Sequence, residues 1–516
     1  MEKKMQKRIH DAKAEADKEI LRNSEIRNGE FIRYYGKKSE LVIPDSVTTI
    51  SEGAFRGNSR LTKVTLGAHV SVIRPNAFRD CVNLHDIILP SGLRIIDEDA
   101  FRGCRSLVSV ILPRTVVLVG AGAFRGCKSL SHMILSVNIE KIGAFAFCDC
   151  KSLEEIVLPE HLSAIHRGTF FNCRSLRTVN VPPTVRTVGR YAFGCCSALE
   201  EIALPEGIAY LGSGVFSECS SLRTLHVPPL VKFVGDYAFS RCENLESIEI
   251  PDSVTYIGIN AFCACVNLKQ VNVPPNVIRI APAAFLGCSQ LEEIAIPETV
   301  REIGKRAFAY CTALRSIEIR AALPTIAEET FHSCFELTAI RLPDSVTSID
   351  EKAFYRCLSL SSIHMPKQLE TLGERAFAEC ESLREMSLPA ALEHIGNNAF
   401  ADCTALSTVI LPNHRLSVEY SAFVGCDAME ILVVPNAYRI LSYRLDRWAV
   451  PSNVQILSHG ELRHSLLLAE LTNSETTEER KRELEIEIAN ARKKMRRHRK
   501  RGQKKTEELT QTSKEE

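Results

Sequence analysis

The sequence predicts an α/β repeat solenoid, because a motif of 23 residues recurs without insertion or deletion along most of the chain. Each copy contains a phenylalanine, usually after alanine, then a cysteine three residues later and a leucine six residues later. Sixteen of the 19 cysteines occupy the cysteine position, from Cys81 to Cys426. The seventeen phenylalanines in register are Phe55, Phe78, Phe101, Phe124, Phe147, Phe170, Phe193, Phe216, Phe239, Phe262, Phe285, Phe308, Phe331, Phe354, Phe377, Phe400 and Phe423.

One repeat reads L-x-x-I-x-L-P-x-x-V-x-x-I-x-x-x-A-F-x-x-C-x-x. The I-x-L portion alternates in the manner of a strand with one buried face. The proline that follows cannot donate to a strand ladder, so it predicts the end of the strand and a turn. The A-F-x-x-C-x-x-L portion has three-residue spacing, which favours a short helical turn on the opposite side of the coil. Because one coil cannot bury its apolar edge alone, the coils are expected to stack with their strands in a parallel wall.

This repeat resembles the BspA-like type of leucine-rich repeat, in which A-F-x-x-C-x-x-L recurs. The resemblance extends over residues 45–435, and it implies a leucine-rich-repeat stack of 17 coils of 23 residues. The commoner leucine-rich repeat carries an asparagine ladder after the strand, whereas this sequence has proline and valine there. The BspA-like proteins for which the type is named are bacterial surface proteins, so the resemblance also implies a surface location as one alternative.

Both ends of the stack are expected to be capped, since a terminal coil would otherwise expose its apolar edge. Leu41, Ile43 and Pro44 continue the strand pattern, and residues 31–35 are expected to form a hairpin with them across a turn at Gly36. The predicted segments are a charged helical segment at 1–28, an N-terminal cap at 29–44, the solenoid at 45–435, a C-terminal cap at 436–472 and a basic helical tail at 473–516.

The tail carries an apolar seam and a basic run. Thr476 and Glu479 form a capping-box pattern, and Leu484, Ile488, Ala491 and Met495 fall on one helical face. The tail is interpreted as a solvated helix whose charges complement its dipole, as a site for nucleic acid or an anionic membrane surface, or as a helix that pairs with another. The basic residues that would contact an anionic partner are Arg492, Lys493, Lys494, Arg496, Arg497, Arg499, Lys500 and Arg501.

The cysteine column is interpreted as packing and not as chemistry. A small apolar side chain at a buried column position explains the cysteines without catalysis. The off-column residues Cys148, Cys195 and Cys263 give no paired C-x-x-C, so no metal site is expected. No phosphate-binding loop, HExxH helix or nucleophile elbow is present, and we therefore expect neither a cofactor nor an enzyme.

The candidate partner-binding residues form a stripe along the predicted strand wall. Ile88, Ile111, Ile134 and Val157 occupy the last outward position of four consecutive coils, and Val108 adjoins them. That column is mostly polar or small in later coils, and a contiguous apolar stripe indicates contact. The stripe is interpreted as the site of a protein or peptide partner, as a surface covered by the chain's own N-terminal helix, or as plain strand propensity.

The predicted function is a non-enzymatic interaction scaffold that binds a protein or peptide partner through the strand wall. The alternatives are a surface adhesin for host or matrix proteins, and a protein anchored to nucleic acid or ribosomes by the basic tail. Free cysteines, with no signal peptide or membrane span recognised in the sequence, favour the cytoplasm. The alternative location is the cell surface, reached by leaderless export.

Overall fold

In the computed structural model of the chain, a typical coil forms two short strands and a series of tight turns. The structure describes residues 19–412, 415–435, 442–472, 480–493 and 495. These belong to two compact units, a first unit at Met1–Gln290 and a second unit at Leu291–Glu516. Each unit is a parallel β-solenoid of coils of about 23 residues, so the predicted solenoid class is confirmed.

The front strands come from the L-x-x-I-x-L portion and pair in parallel with a shift of one repeat, as Ile111 does with Ile134. Residues 201–205 form no strand and interrupt this wall. In the first unit the front strands are Glu40–Val42, Lys63–Thr65, Asp86–Ile88, Ser109–Ile111, His132–Ile134, Glu155–Val157, Thr178–Asn180, Thr224–His226, Ser247–Glu249 and Gln270–Val271. In the second unit they are Glu293–Ile296, Ser316–Ile319, Ala339–Arg341, Ser362–His364, Glu385–Ser387, Thr408–Ile410, Ile431–Val434 and Gln455–Ser458.

The rear strands come from the V-x-x-I portion, for which the sequence analysis predicted apolar positions but no strand. Both apolar residues of this portion are buried, and the residues between them point outward. In the first unit the rear strands are Thr49–Ile50, Val72–Ile73, Ile95–Ile96, Leu118–Val119, Lys141–Ile142, Ala164–Ile165, Thr187–Val188, Tyr210–Leu211, Phe233–Val234, Tyr256–Ile257 and Arg279–Ile280. In the second unit they are Glu302–Ile303, Thr325–Ile326, Ser348–Ile349, Thr371–Leu372, His394–Ile395 and Ser417–Val418.

The A-F-x-x-C portion forms consecutive turns where the sequence favoured a short helical turn. The N–H of Cys127 donates to the carbonyl of Phe124 at 3.1 Å, which closes one three-residue turn. A helix does not continue, because each coil places two residues in the left-handed region. In this coil they are Gly122 and Gly126, with φ of 61° and 74°. The helical part of the α/β class therefore lies outside the repeats, among the described residues.

The core of each unit is a column of stacked phenylalanine rings beside a column of cysteines. Ring centroids of consecutive coils lie 4.8 to 5.8 Å apart from Phe31 to Phe285 in the first unit. They lie 5.1 to 5.7 Å apart from Phe308 to Phe423 in the second unit. All of these rings are buried. Removal of their apolar surface from water is the main favourable contribution to folding.

The N-terminal hairpin differs from the prediction. Its strands are Ser24–Arg27 and Glu30–Tyr34, so its turn lies at Asn28 and Gly29 and not at Gly36. The predicted helical segment 1–28 is therefore wrong for residues 24–27, and within its described part only residues 19–22 are helical. Asn28 and Gly29 both adopt positive φ, as a tight hairpin turn requires, and this local geometry outweighed the charged composition.

The C-terminal end of the second unit is closed by a further strand and a tryptophan. Helix α1, Ser442–Arg447, leads to Trp448, whose indole N–H donates to the carbonyl of Val418 at 3.1 Å. Strand Gln455–Ser458 then pairs in parallel with Ile431–Val434. With Phe31 and this strand, the described residues form about 18 turns of about 23 residues, one more than the 17 repeats predicted.

Two helices follow this closing strand. Helix α2, His459–Thr472, begins with a capping box, because the N–H of Ser458 donates to Glu461 at 2.9 Å and the N–H of Glu461 to Ser458 at 3.3 Å. Helix α3 spans residues 480–493. Leu484 and Ile488 of the predicted seam are buried against Leu467 of helix α2. Of the three interpretations of the tail, helix pairing accounts for this seam.

Candidate partner-binding surface

The predicted apolar stripe lies on the outer face of the front strands. The side chains of Ile88, Ile111, Ile134 and Val157 are 49% to 71% exposed. On each of these strands the middle residue is buried, as Val110 is, because successive side chains of a strand point to opposite faces. The stripe is therefore held by a packed core but does not belong to it.

Val108 lies beside the stripe and not within it. Its side chain is only half-buried, and it sits one residue before the strand Ser109–Ile111. Its backbone is fixed, since its N–H donates to His85 at 3.4 Å and its carbonyl accepts from Ser131 at 3.0 Å. The structure thus brings four of the five predicted residues into one row and leaves Val108 at the row's edge.

The sequence analysis missed one residue of the same row. Val42 is 49% exposed and lies opposite Thr65, which in turn lies opposite Ile88. Its position in frame with the column is the signal that identifies it, although it precedes the first complete repeat. The row ends after Val157, where Asn180 follows and its side-chain oxygen accepts a 2.6 Å hydrogen bond from the N–H of Leu158.

A second feature of the front strands is a shallow depression of about 430 Å³ in the second unit. Small outward side chains create it, namely Ser316, Ala339 and Ser362, and Ile363 at its floor is half-buried. Its rim is basic or polar, since it carries Arg341 and His364. The sequence analysis did not identify this depression, because small side chains at outward strand positions form no recognisable motif.

The cysteine thiols are unsuited to nucleophilic chemistry. All 19 are free, and most are buried. Burial raises the pKa of the Cys242 thiol well above its usual range, and burial together with the nearby Glu218 carboxylate raises the pKa of Cys195 to about 11. A thiol that stays protonated at neutral pH is a poor nucleophile.

Metal and membrane sites receive no support from the described part of the chain. Among its residues, no group of three or more His, Cys, Asp or Glu side chains is placed to hold a metal ion. None of its helices is both long enough and apolar enough to cross a bilayer.

The repeats match a family model over most of the chain. The BspA type leucine rich repeat region, a model of six copies, matches residues 24–151, 117–246, 232–349 and 324–445. The chain belongs to the BspA-type leucine-rich repeat family. Leucine-rich repeat proteins generally mediate protein–protein interactions and are typically non-enzymatic.

This BspA-type protein is also similar to solved bacterial structures. A Bacteroides ovatus leucine-rich repeat protein is 24% identical, with 83% of this chain and 94% of that chain covered and a TM-score of 0.48. The T. pallidum leucine rich repeat protein is 33% identical, with 33% and 82% covered and a TM-score of 0.32. A leucine rich cell surface protein of Faecalibacterium prausnitzii is 23% identical, with 75% and 91% covered and a TM-score of 0.37. No protein of curated function is similar enough to this BspA-type chain to count as a relative.

The basic run of this BspA-type protein is only partly described. Arg492 donates from Nε to Nε2 of His464 on helix α2 at 2.9 Å, so its guanidinium contributes to helix pairing. Lys493 is exposed. The other predicted anion-binding residues lie outside the described residues, and their role stays a prediction; they are Lys494, Arg496, Arg497, Arg499, Lys500 and Arg501.

Proposed function

We propose that the protein is a non-enzymatic scaffold that binds a protein or peptide partner through the row of Ile88, Ile111, Ile134 and Val157, called here the apolar stripe. The observation that carries the proposal is the exposure of four branched side chains in one row of a packed wall. Covering roughly 300 Å² of such surface stabilises a complex by about 7.5 kcal/mol at 25 cal/mol per Å². Association costs offset much of this, so the stripe supports a specific contact of moderate strength.

The test is the double variant Ile111→Asp with Ile134→Asp, compared with the parent for capture of partners by the immobilised protein. Capture should be lost while the fold is kept, because both side chains point away from the core. The matched control is Leu230→Asp with Ile278→Asp, which places the same charges at apolar side chains of similar exposure outside the front strands. Equal capture by the parent and the stripe variant would contradict the proposal.

A deletion distinguishes a partner from the chain's own N-terminal segment. Removing residues 1–18 leaves the hairpin Ser24–Arg27 and Glu30–Tyr34 in place, together with the buried Ile20. Stronger capture after deletion would mean that this segment competes for the stripe. Lower stability with unchanged capture would mean that the segment contributes to the fold elsewhere.

A reducing compartment, the cytoplasm, is the location that this proposal favours. Its support is the large number of free thiols, which an oxidising compartment tends to convert into disulfides. Cell fractionation combined with thiol labelling tests it. Protein found at the cell surface with oxidised thiols would favour the adhesin alternative.

The basic tail supports a second candidate function, contact with nucleic acid. Residues 492–505 contain ten Lys or Arg and no Asp or Glu, which is a composition typical of phosphate-binding segments. A salt-sensitive mobility shift with RNA or DNA that is lost on deleting 492–505 would support it. A shift that persists after this deletion would exclude the tail as the source.

A further inference from the structure

A row of basic side chains runs parallel to the apolar stripe. Each member directly follows the column cysteine of its coil, so the row recurs every 23 residues. Backbone hydrogen bonds hold its register, since the N–H of Ser152 donates to the carbonyl of Lys128 at 3.2 Å and equivalent bonds join the neighbouring coils. Adjacent parallel chains lie about 4.8 Å apart, which is the spacing of the row. The basic row comprises Arg105, Lys128, Lys151 and Arg174.

The charges of the basic row are not neutralised within the described part of the chain. None of the four side chains forms an ion pair there, and the one polar contact of the row joins Nε of Arg174 to the neutral side-chain oxygen of Asn172 at 2.8 Å. The neighbouring arginine column behaves differently, because Arg79 and Arg102 both contact Asp99, at 3.5 and 2.9 Å. Positive charge is thus available at the basic row, whereas one column away it is compensated at Arg79 and Arg102.

The basic row and the apolar stripe share three coils. On each of these, the basic residue precedes the stripe residue by six positions, as Lys128 precedes Ile134. Six residues of chain span at most about 20 Å, so one ligand of modest width can contact both rows. The surface that results is apolar along one edge and positively charged along the other.

We propose that this surface binds an acidic amphipathic helix that lies along the stacking direction; this inference rests on the proposed function of the stripe. A helix rises 5.4 Å per turn, close to the 4.8 Å spacing of the coils, so one apolar side chain per turn can meet one stripe residue. Four coils span about 14 Å, which corresponds to about ten helical residues. Carboxylates on one flank of such a helix would then face the basic row.

Charge complementarity favours an acidic helix over two other occupants, the chain's own residues 1–18 and an anionic membrane. Residues 1–18 of the chain carry six Lys or Arg and four Asp or Glu, a net charge of +2 that has the same sign as the basic row. A uniformly anionic bilayer would meet the exposed carboxylates of Glu154 and Glu155 between the two rows. A peptide can place a neutral residue at that point, whereas a lipid surface cannot.

The test uses two fluorescein-labelled peptides of 14 residues that share one face of leucines. One has glutamates along the flank of this face, and its twin has lysines at the same positions. The parent protein should bind the glutamate peptide at least tenfold more tightly than the lysine twin, as measured by fluorescence anisotropy at low and physiological salt. Parent protein that binds the twin equally well, or that shows no measurable binding of the glutamate peptide, would overturn the inference.

The decisive variant is Lys128→Glu with Lys151→Glu, since neither change alters a backbone hydrogen bond. It should weaken binding of the glutamate peptide at least tenfold and should favour the lysine twin. The control Lys232→Glu with Lys269→Glu makes the same charge change at exposed side chains elsewhere in the first unit, and it should change both affinities less than twofold. An equal loss in both variants would attribute binding to net charge and overturn the inference.

The two proposals fail in distinguishable ways. Both peptides share the leucine face, so loss of both in Ile111→Asp with Ile134→Asp reports the apolar stripe, whereas their affinity ratio reports the basic row. Loss of partner capture in that stripe variant, with an unchanged ratio in Lys128→Glu with Lys151→Glu, would leave the proposed function standing and refute the acidic helix. Binding of the parent to phosphatidylserine vesicles without a preference between the peptides would assign the surface to a membrane.

Discussion

The thiol of Cys242 donates a hydrogen bond to the backbone carbonyl of Phe216 in the preceding coil, with Sγ 3.1 Å from the oxygen. The same bond recurs along the cysteine column, for example from Cys380 to Phe354 at 3.2 Å. A buried thiol of this kind fills space, and it adds a second hydrogen bond to a carbonyl that also accepts from a backbone N–H, as Phe216 does from Cys219 at 3.1 Å. The repeated cysteine is therefore a structural element of the coil.

Cys242→Ala should lower the free energy of unfolding of the first unit by about 1 to 2 kcal/mol. The variant loses a small buried group and one weak hydrogen bond, but no surface residue changes. Chemical denaturation measures the loss, and the peptide assay should give unchanged affinities. A folded, stable Cys242→Ala protein without any binding would show that the column has a direct role in function.

Thiol labelling of the folded protein should modify Cys195 and Cys263 before any other cysteine. These two are half-exposed, whereas the other 17 are buried. Labelling should still be slow near neutral pH, because burial raises the pKa of both thiols. Mass spectrometry of tryptic peptides gives the order, with protein unfolded in guanidinium as the fully reactive control. Early labelling of a column cysteine would contradict the burial argument.

Phe239→Ala should loosen its own coil and the adjacent coils first. The ring of Phe239 stacks on those of Phe216 and Phe262, with centroids 5.8 and 5.2 Å away. Removal of a buried ring costs about 3 to 5 kcal/mol, and repeat proteins transmit such a loss mainly between neighbours. Hydrogen exchange resolved along the first unit checks this, and uniform loosening of all its coils would argue against nearest-neighbour coupling.

Ala264→Gly should stabilise the first unit by about 0.5 to 1 kcal/mol. Ala264 adopts φ of 59°, a left-handed conformation that costs a non-glycine residue about 1 kcal/mol and costs glycine little. Ala264→Val should destabilise, because a β-branched side chain tolerates this region poorly. The reciprocal control is Gly287→Ala, since Gly287 occupies the same column with φ of 73° and should lose stability. Thermal unfolding that ranks the variants otherwise would refute this interpretation.

The stability of the second unit should fall as pH drops below about 6.5, the ordinary histidine value. His332 is largely buried, and desolvation lowers its pKa although the Glu329 carboxylate lies 3.5 Å away. The folded state therefore binds a proton less readily than the unfolded state. The free energy of unfolding falls as pH drops from 6.5 to the lowered pKa of the folded state, and it then levels off. Arg306 and Arg356 face the same imidazole and act in the same direction.

His332→Gln should flatten this pH dependence, whereas His364→Gln on an exposed front strand should retain it. Glu329 stabilises the folded state through its hydrogen bonds from Arg306, at 2.6 and 2.9 Å, which lower its pKa, so it affects the pH dependence of stability only at lower pH. That contribution is present above the ordinary carboxyl value and is lost as pH falls through the depressed one. Denaturation midpoints between pH 4 and pH 8 test both statements, and an unchanged slope in His332→Gln would disprove the first.

The sequence alone determined the register of the coils. A phenylalanine such as Phe239 recurs with its cysteine and leucine every 23 residues, and identical apolar residues at one spacing can be buried only by stacking coil on coil. The outward direction of Ile111 and Ile134 followed from the same spacing, because the residue between two buried strand positions points to the other face. The solenoid fold and the position of the apolar stripe could thus be predicted from the sequence alone.

Contacts between segments were decided only by the tertiary structure. The seam at Leu484 and Ile488 was visible in the sequence, but its partner Leu467 lies on a helix that no spacing connects to it. Likewise, the turn at Asn28 and the availability of charge at Lys128 depend on which neighbours are close in space. A periodic pattern reports which side chains avoid water, since burial repeats with the backbone. It does not report what covers them, because pairing depends on three-dimensional proximity between residues that are distant in the chain.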